Sequence, residues 1–564
     1  MQTITSQDKF PDIEHHFRIA AGPGAGKTHW LTEHIRNTLY KSERMATTRK
    51  IACITYTNIA VETILKRLGT SVTRVEVSTI HSFLYKNLIK PYVFLVADEY
   101  GLDVSKIDGH DDTILSNFGF LSDWKAKTSQ VYLRDDKEIA KAFRAIQWKF
   151  KNKEELEAKP SRAYSVNGTN IKTSSYMIYK KMTWEKGIIH HDDVLFFSYQ
   201  IINKHPFVLE VLRARFPYIF IDEFQDSSPI QVKIFQAIGE KESIIGIIGD
   251  TAQSIYKFQG ADPSEFKKIK LKGIIDYVME DNRRSTNEII DVLNSSRTDI
   301  TQNKYRNVSG EAPYILIGDR SSALAFAKVC CGTEPVYSLS RDNITANTMK
   351  KEISGSYNSK LFDELFEKDK PGSGNKYRSS AVLSCLKAVE YAREGKFKDA
   401  IKEMEREFKS ESDLFTRKRK ALNNIITLLE RYENYSKGAL YDFFVLVRAE
   451  VKTNITNLGS GAAKEFYVTH SYQDMALCVK IPEDISQHKT IHKAKGAEFD
   501  NVMVVALEEK DLDFLTNPDF DNEEEHRIHY VAVSRAKEKL FISVPALSMA
   551  NQKSLEKYFT IKTV

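Results

Sequence analysis

The sequence predicts an α/β protein built from two parallel-sheet domains, each interrupted by a mainly helical insert. Three observations carry this expectation. Short, unbroken apolar runs alternate with amphipathic helical stretches, the pattern of strands buried on both faces of a parallel sheet. The runs fall into two separate regions of the chain. One of them leads straight into a glycine-rich turn that opens a helical stretch, the layout of a strand, loop and helix that cradle phosphate.

In chain order, Phe17-Arg-Ile-Ala20 is the first strand, followed by the glycine-rich segment and a helix through Tyr40. Lys50-Ile-Ala-Cys-Ile-Thr55, Tyr218-Ile-Phe-Ile-Asp222 and Ile244-Ile-Gly-Ile-Ile-Gly-Asp250 complete the first set. Tyr314-Ile-Leu-Ile317, Val502-Met-Val-Val505 and Leu540-Phe-Ile-Ser-Val544 form the second. The first α/β domain is therefore expected over 1–84 and 189–281, with a polar, aromatic, helical insert over 85–188. The second is expected over 282–349 and 469–564, with a helical insert over 350–468. The charged, turn-rich stretch from Glu367 to Lys376 marks a loop inside that insert. The helical period from Ala381 to Phe408 has no second copy, which excludes a repeat array.

Composition sets outer limits. With 564 residues, 42% apolar and 28% charged, the chain is an ordinary globular protein with material for several cores. A net charge of +6 permits nucleic-acid binding without demanding it. The five cysteines are scattered, without CxxC or metal-ligand spacing, and read as reduced thiols of a cytoplasmic protein. The start, MQTITSQDKF, has no basic and apolar leader pattern, so no signal peptide is expected. No apolar run approaches the ~18 residues of a membrane span.

The chemistry is concentrated at the strand ends. Ala21, Gly22, Pro23, Gly24, Ala25, Gly26, Lys27 and Thr28 form the phosphate loop: glycines admit backbone N–H groups to the oxygens, Lys27 reaches the β- and γ-phosphates, and the Thr28 hydroxyl holds Mg²⁺. Ala21 stands where the pattern has glycine. At the end of an apolar strand, Asp222 suits Mg²⁺ and Glu223 suits polarisation of the attacking water. Gln253 is placed to sense the γ-phosphate of ATP, and Tyr256 and Phe258 offer ring faces for bases. Thr57, Asn58 and His81 follow strands and suit a nucleic-acid backbone. Arg284 and Arg535 offer guanidinium groups to phosphate. The segment from Thr490 to Phe499 is basic and glycine-pivoted, with His492 and one acid, Glu498.

Taken in order, AGPGAGKT, IDEFQD, GDTAQSIYKFQGA, NRRS, TIHKAKGAEF and HYVAVSRAKEKL resemble the six motifs of superfamily 1 helicases of the UvrD/Rep/PcrA type. The resemblance implies two RecA-like domains of the P-loop NTPase class, ATP and Mg²⁺ as cofactors, and 3′–5′ movement on single-stranded or forked DNA. It implies that Arg535 is an arginine finger, that Glu498 contacts ribose and that Gln7 reads adenine. Thr57, His81, Tyr256 and Phe258 would face single-stranded DNA. Asp192-Asp-Val-Leu195 is similar to the family's segment before its second motif. The chain departs from the pattern at Ile59, where the family often has lysine, and at Gln259, where it has arginine.

The compact proportions, the segment HSFLYKNLIKPYVF and the short C-terminal stretch resemble the helicase-like subunit of Gabija anti-phage systems. That implies an OLD-family Toprim nuclease as partner in a hetero-oligomer. A DNA-end or nucleotide sensor that regulates such a nuclease, and an autonomous DNA-repair helicase, stand as alternatives.

Overall fold

Strand, loop and helix alternate from the first residues onward. The computed structural model describes residues 1–107, 114–115, 118–166, 168–353, 357–370, 378–408, 411, 413–481 and 486–564. These divide into two compact units: Met1–Ser309 with Asn517–Ser534, and Gly310–Thr516 with Arg535–Val564. Residues 282–309 and 517–534, expected from sequence in the second domain, thus fall in the first unit.

In the first unit the strands are β1 (Gln2–Thr3), β2 (Phe17–Ala21), β3 (Ile51–Thr55), β4 (Val75–Thr79), β5 (Ile146–Phe150), β6 (Leu156–Pro160), β7 (Ser165–Val166), β8 (Thr169–Asn170), β9 (Tyr218–Ile221), β10 (Ile244–Gly249), β11 (Ile275–Met279), β12 (Asp281–Asn282) and β13 (Asn303–Lys304). Seven of them form one sheet in the order β1-β11-β2-β10-β9-β3-β4, every neighbouring pair parallel. Period-two alternation divides the apolar strands between the two faces. Tyr218 and Phe220 pack with Trp30, Leu31 and Ile35 of α1 (Lys27–Lys41) and Ile64 of α2 (Asn58–Leu68). Ile219 and Ile221 face the opposite way, into a core shared with Phe197, Ile201, Ile234 and Phe235.

That second core runs on into the first insert, whose Phe120, Trp124, Phe143 and Trp184 belong to the same cluster. The insert is mainly helical but carries two antiparallel hairpins, β5–β6 and β7–β8. In the first, Ile146-Gln-Trp-Lys-Phe150 alternates in burial, as a half-buried strand should. All four tryptophans of the chain lie in this unit, and all are buried. Each indole N–H is bonded, to Asp8 O (Trp30), Ser175 O (Trp124) and the two carboxylate oxygens of Asp193 (Trp148 and Trp184).

The second unit holds β14 (Tyr314–Ile317), β15 (Val336–Ser340), β16 (His488–Thr490), β17 (Phe499–Val505), β18 (Ala536–Val544) and β19 (Thr560–Thr563). They form a second all-parallel sheet in the order β16-β15-β17-β18-β14-β19. Its core, with Leu316, Leu324, Met503 and Phe541, is separate from that of the helical insert. The insert packs Leu386, Val389, Tyr435, Phe443, Phe444 and Tyr472 around a centre of its own.

Candidate nucleotide and nucleic-acid site

Ligands of open parallel sheets bind beyond the carboxyl ends of the strands, and the predicted residues converge there in the first unit. Register sets them side by side. Gly249 pairs with Ala20 and Ile247 with Ile221, so Asp250 and Asp222 leave their strands next to the start of the phosphate loop after β2.

The loop turns through Gly24 (φ +74°) and Gly26 (φ +83°), both in the left-handed region that favours glycine. A Cβ at Gly24 would come within 2.5 Å of Asn282 Oδ1 and 2.9 Å of Arg284 Cβ, and one at Gly26 within 2.7 Å of Ser6 Cβ. The loop is walled by polypeptide on these sides. Arg283 N donates to Gly24 O (3.0 Å), and Asn282 Nδ2 donates to Gln302 Oε1 (2.8 Å). Gly26 is the N-cap of α1, and among the described residues no side chain caps that helix. Its first N–H groups and positive dipole end therefore face the loop, an anion site in physical terms. Lys27 Nζ donates to Ala21 O at 3.2 Å. Thr28, in the first turn, is half-buried, as is Glu223, while Asp222 is only 4% exposed. These residues fit a nucleoside triphosphate with its Mg²⁺: two left-handed glycines, an uncapped helix end, a lysine, a hydroxyl and a carboxylate at neighbouring strand ends.

Glu223 adopts φ +54°, and its N–H donates to Asp222 Oδ1 at 3.0 Å. Gln225 links the two strand ends, donating to Glu223 Oε2 through its amide and accepting from Asp250 N (3.0 Å). Gln253 Nε2 donates to Asp250 Oδ2 at 2.6 Å. Arg297 donates to the same oxygen at 3.0 Å, and forks onto both oxygens of Asp299 at 2.8 Å. Burial works to raise the Asp250 pKa, but the charges of Arg297 and Lys27 prevail and hold it below the usual carboxylate range. Tyr530 completes the cluster, its hydroxyl accepting from Arg297 at 3.3 Å. Gln253 is legible in the sequence; Arg297 lies in no motif and is drawn in only by the fold. Arg284 also lies in the first unit, donating to Ser534 O at 2.6 Å. Gln7 is exposed, in a segment held near α1 by Ser6 against Gly26 and by Trp30 Nε1 on Asp8 O (2.9 Å).

Arg535, Glu498 and His492 belong to the second unit. Arg535 is buried and donates to Ala497 O at 3.4 Å; Glu498 is exposed and His492 half-buried. They gather around the turn at Gly496 (φ +84°).

The residues expected to face DNA fall into two kinds. Thr57 caps α2 by accepting from Ala60 N (3.2 Å), and Asn58 is exposed beside it. Phe258 is 57% exposed, whereas Tyr256 is 8% exposed and stacks on Tyr56 at 4.5 Å between centroids. Phe258, Gln259, Tyr56 and His81 line a cavity of about 360 Å³ floored by the β5 hairpin, and Gln147 Nε2 of that hairpin holds Phe258 O at 2.6 Å. His81 stacks on His191 at 3.6 Å. Burial, reinforced by His191, lowers the His81 pKa to about 3, so this imidazole is neutral.

An α/β chain with two parallel sheets, one of them followed by a glycine-rich turn, a helix and acidic strand ends, has the architecture of a P-loop NTPase with RecA-like domains. The model of the UvrD/REP helicase N-terminal domain matches residues 5–272, and that of the UvrD-like helicase C-terminal domain matches 489–543, together more than half of the chain. The chain belongs to the UvrD-like family of ATP-dependent DNA helicases. It is 29% identical to the Gabija protein GajB of Bacillus cereus (strain HuB5-5) over 50% of this chain, a match that spans about half (46%) of that relative. It is 23% identical to the ATP-dependent DNA helicase PcrA of Staphylococcus aureus (strain Mu50) over 93% of this chain and 80% of PcrA. YjcD of Bacillus subtilis (strain 168), which carries an ATP-dependent DNA helicase name, is 23% identical over 95% of this chain and 78% of its own length.

Proposed function

We propose that the chain hydrolyses ATP to move 3′–5′ along single-stranded DNA. The observation that carries this reading is the uncapped N-terminus of α1, set with Lys27 beside Asp222, Glu223 and the Asp250–Gln253–Arg297 cluster. Thr28 and Asp222 would hold Mg²⁺, which would supply charge neutralisation to the phosphates. The α1 N–H groups and Lys27 bind and orient the phosphates, which leaves positioning and electrostatics as the main catalytic terms. Glu223 polarises the attacking water and takes its proton at the carboxylate. Gln253 senses the γ-phosphate, and its bond to Asp250 ties that sensing to the loop bearing Tyr256 and Phe258. Arg284 lies beside the phosphate loop, and Arg535 takes the arginine-finger role from its match to the family's sixth motif. Gln7 and Glu498 take the adenine and ribose roles by the same match. Thr57, Asn58, His81, Phe258 and His492 grip the strand, and a base stacks on Tyr256 once Tyr56 gives way.

The likeness to GajB supports a further reading: a cytoplasmic subunit of an anti-phage system, working with an OLD-family Toprim nuclease in a hetero-oligomer. The longer matches to PcrA and YjcD, which carry only a helicase name, leave an autonomous DNA-repair helicase as the alternative. Native mass measurement of the protein expressed with its operon neighbours separates the two.

The catalytic reading is tested by DNA-stimulated phosphate release. Lys27→Ala should lower turnover by at least ~10²-fold, and Glu223→Gln should do the same while still binding nucleotide. Turnover of Lys27→Ala within threefold of the wild type would remove the site; loss of nucleotide binding in Glu223→Gln would overturn its role as base.

A further inference from the structure

His81, His191 and Asp192 place one ligand atom each within 4.8 Å of one another. They come from two elements. His81 lies in the short helix Ile80–Leu84 that follows β4, and His191 and Asp192 lie in the turn before the helix Asp193–Lys204. Nε2 of His81 is buried and has no hydrogen-bond partner among the described residues, a state that costs free energy unless a ligand relieves it. Both histidines and Asp192 border the 360 Å³ cavity beside Phe258.

The turn is held rigidly. Asp193, the next residue, is fully buried and accepts from Trp148 Nε1 (2.9 Å), Trp184 Nε1 (3.0 Å) and the His190 N–H (3.0 Å), with Lys180 Nζ at 2.8 Å. Four donors on one carboxylate fix the backbone from which His191 and Asp192 project. A supporting shell of this kind orients the ligands of a metal site.

We infer that His81, His191 and Asp192 form a binding site for a divalent transition-metal ion of the zinc type. Two imidazoles and one carboxylate make a three-ligand set that leaves a fourth, tetrahedral position open to water. Ligands ~2.0–2.1 Å from the ion stand roughly 3.3 Å apart, so the three atoms need only a small approach. The rings now lie stacked, 26° from parallel, and a shared ion must sit in the plane of each. His191 supplies that rotation: its side chain is 68% exposed. Nitrogen donors disfavour Mg²⁺, which prefers oxygen ligands and water, so this site is chemically distinct from the one at Thr28 and Asp222. An ion here ties the end of β4 to the turn across the cavity floor. The consequence, that zinc narrows the cavity and opposes single-strand binding, rests on the DNA reading above.

The test uses the full chain, stripped with chelator and dialysed, without nucleotide or DNA, titrated calorimetrically with Zn²⁺. One equivalent should bind, with affinity lowered at least ~10-fold in His191→Ala and in Asp192→Asn. Both residues reach the surface, so the fold should survive, and far-UV circular dichroism checks this. Co²⁺ in place of Zn²⁺ should give visible bands without thiolate charge transfer. Absence of saturable binding, or unchanged affinity in both variants, overturns the site. So do thiolate bands that persist in His191→Ala, because they place the ion on Cys330, Cys331 or Cys478. Single-strand affinity with and without Zn²⁺ is a separate arm: if binding is confirmed but DNA affinity does not change, the metal site stands and only its link to the strand fails.

Discussion

The two units begin with the same three parts and finish them differently. In the first, β2 ends in a glycine loop and α1 starts at Gly26 with no side chain on its N–H groups. In the second, Gly318 follows β14 and the helix Arg320–Cys331 is capped by Asp319, whose carboxylate accepts from Ser321 N (2.9 Å) and Ser322 N (3.1 Å). One helix end is left for an anion from outside, and the other is closed by an anion of its own. A cap is worth about 1 kcal/mol. The first unit forgoes that stabilisation at the position where phosphate is expected, while the second, which carries no phosphate loop, takes it. The helix Asn343–Lys350 follows the second pattern, capped by Asp342 on Thr345 N (2.9 Å). Strand, turn and helix alone therefore do not define a nucleotide site; at α1 an uncapped end coincides with the glycine turns, Lys27 and the strand-end acids Asp222 and Glu223.

The largest test of this contrast is Arg297→Ala. It would leave Asp250 buried without its guanidinium partner, and loss of one member of a buried pair costs about 3–5 kcal/mol. Denaturant unfolding followed in the first unit should show that loss. A change under about 1 kcal/mol would mean that Lys27 alone balances Asp250. Next, Gly26→Asp imposes the second unit's solution on the first. The left-handed backbone strains any side chain there by roughly 1–2 kcal/mol, and the carboxylate opposes phosphate by up to several kcal/mol. Binding of a fluorescent ATP analogue should weaken at least ~10-fold; undiminished affinity would show that the helix end does not meet the phosphates. Smallest is Asp319→Ala, which should cost about 0.5–2 kcal/mol of stability in the second unit and leave nucleotide affinity untouched. A fall in affinity would break the separation of roles.

Much of this was readable from the sequence, for a physical reason. Runs buried on both faces must be apolar throughout, so Tyr218–Ile221, Ile244–Gly249 and Tyr314–Ile317 announce themselves as strands. The loop glycines are equally legible, because positive φ restricts residue choice. Edge strands are not: Gln2–Thr3 and Thr560–Thr563 are mostly exposed and polar, and only pairing makes them strands. The hairpin Ile146–Pro160 is hidden inside a mainly helical insert, since its alternation spans few residues between charged turns. Asn282, Gln302 and Arg297 act through contacts distant in sequence, which no local pattern encodes. The burial of Tyr256 follows in part from Tyr56, a partner on another strand end.

The distribution of indoles gives the molecule a built-in optical asymmetry. Trp30, Trp124, Trp148 and Trp184 all sit in the first unit, and the second has none. Emission excited at the red edge of protein absorbance therefore reports on one half of the chain, while backbone circular dichroism reports on both. If the halves melt as one, the two signals trace a single curve; if they melt apart, the curves separate and the dark half is obtained by difference. Two of the four fluorophores share the carboxylate of Asp193, one residue from Asp192, so intrinsic emission is also a label-free gauge of strain in the turn that carries His191.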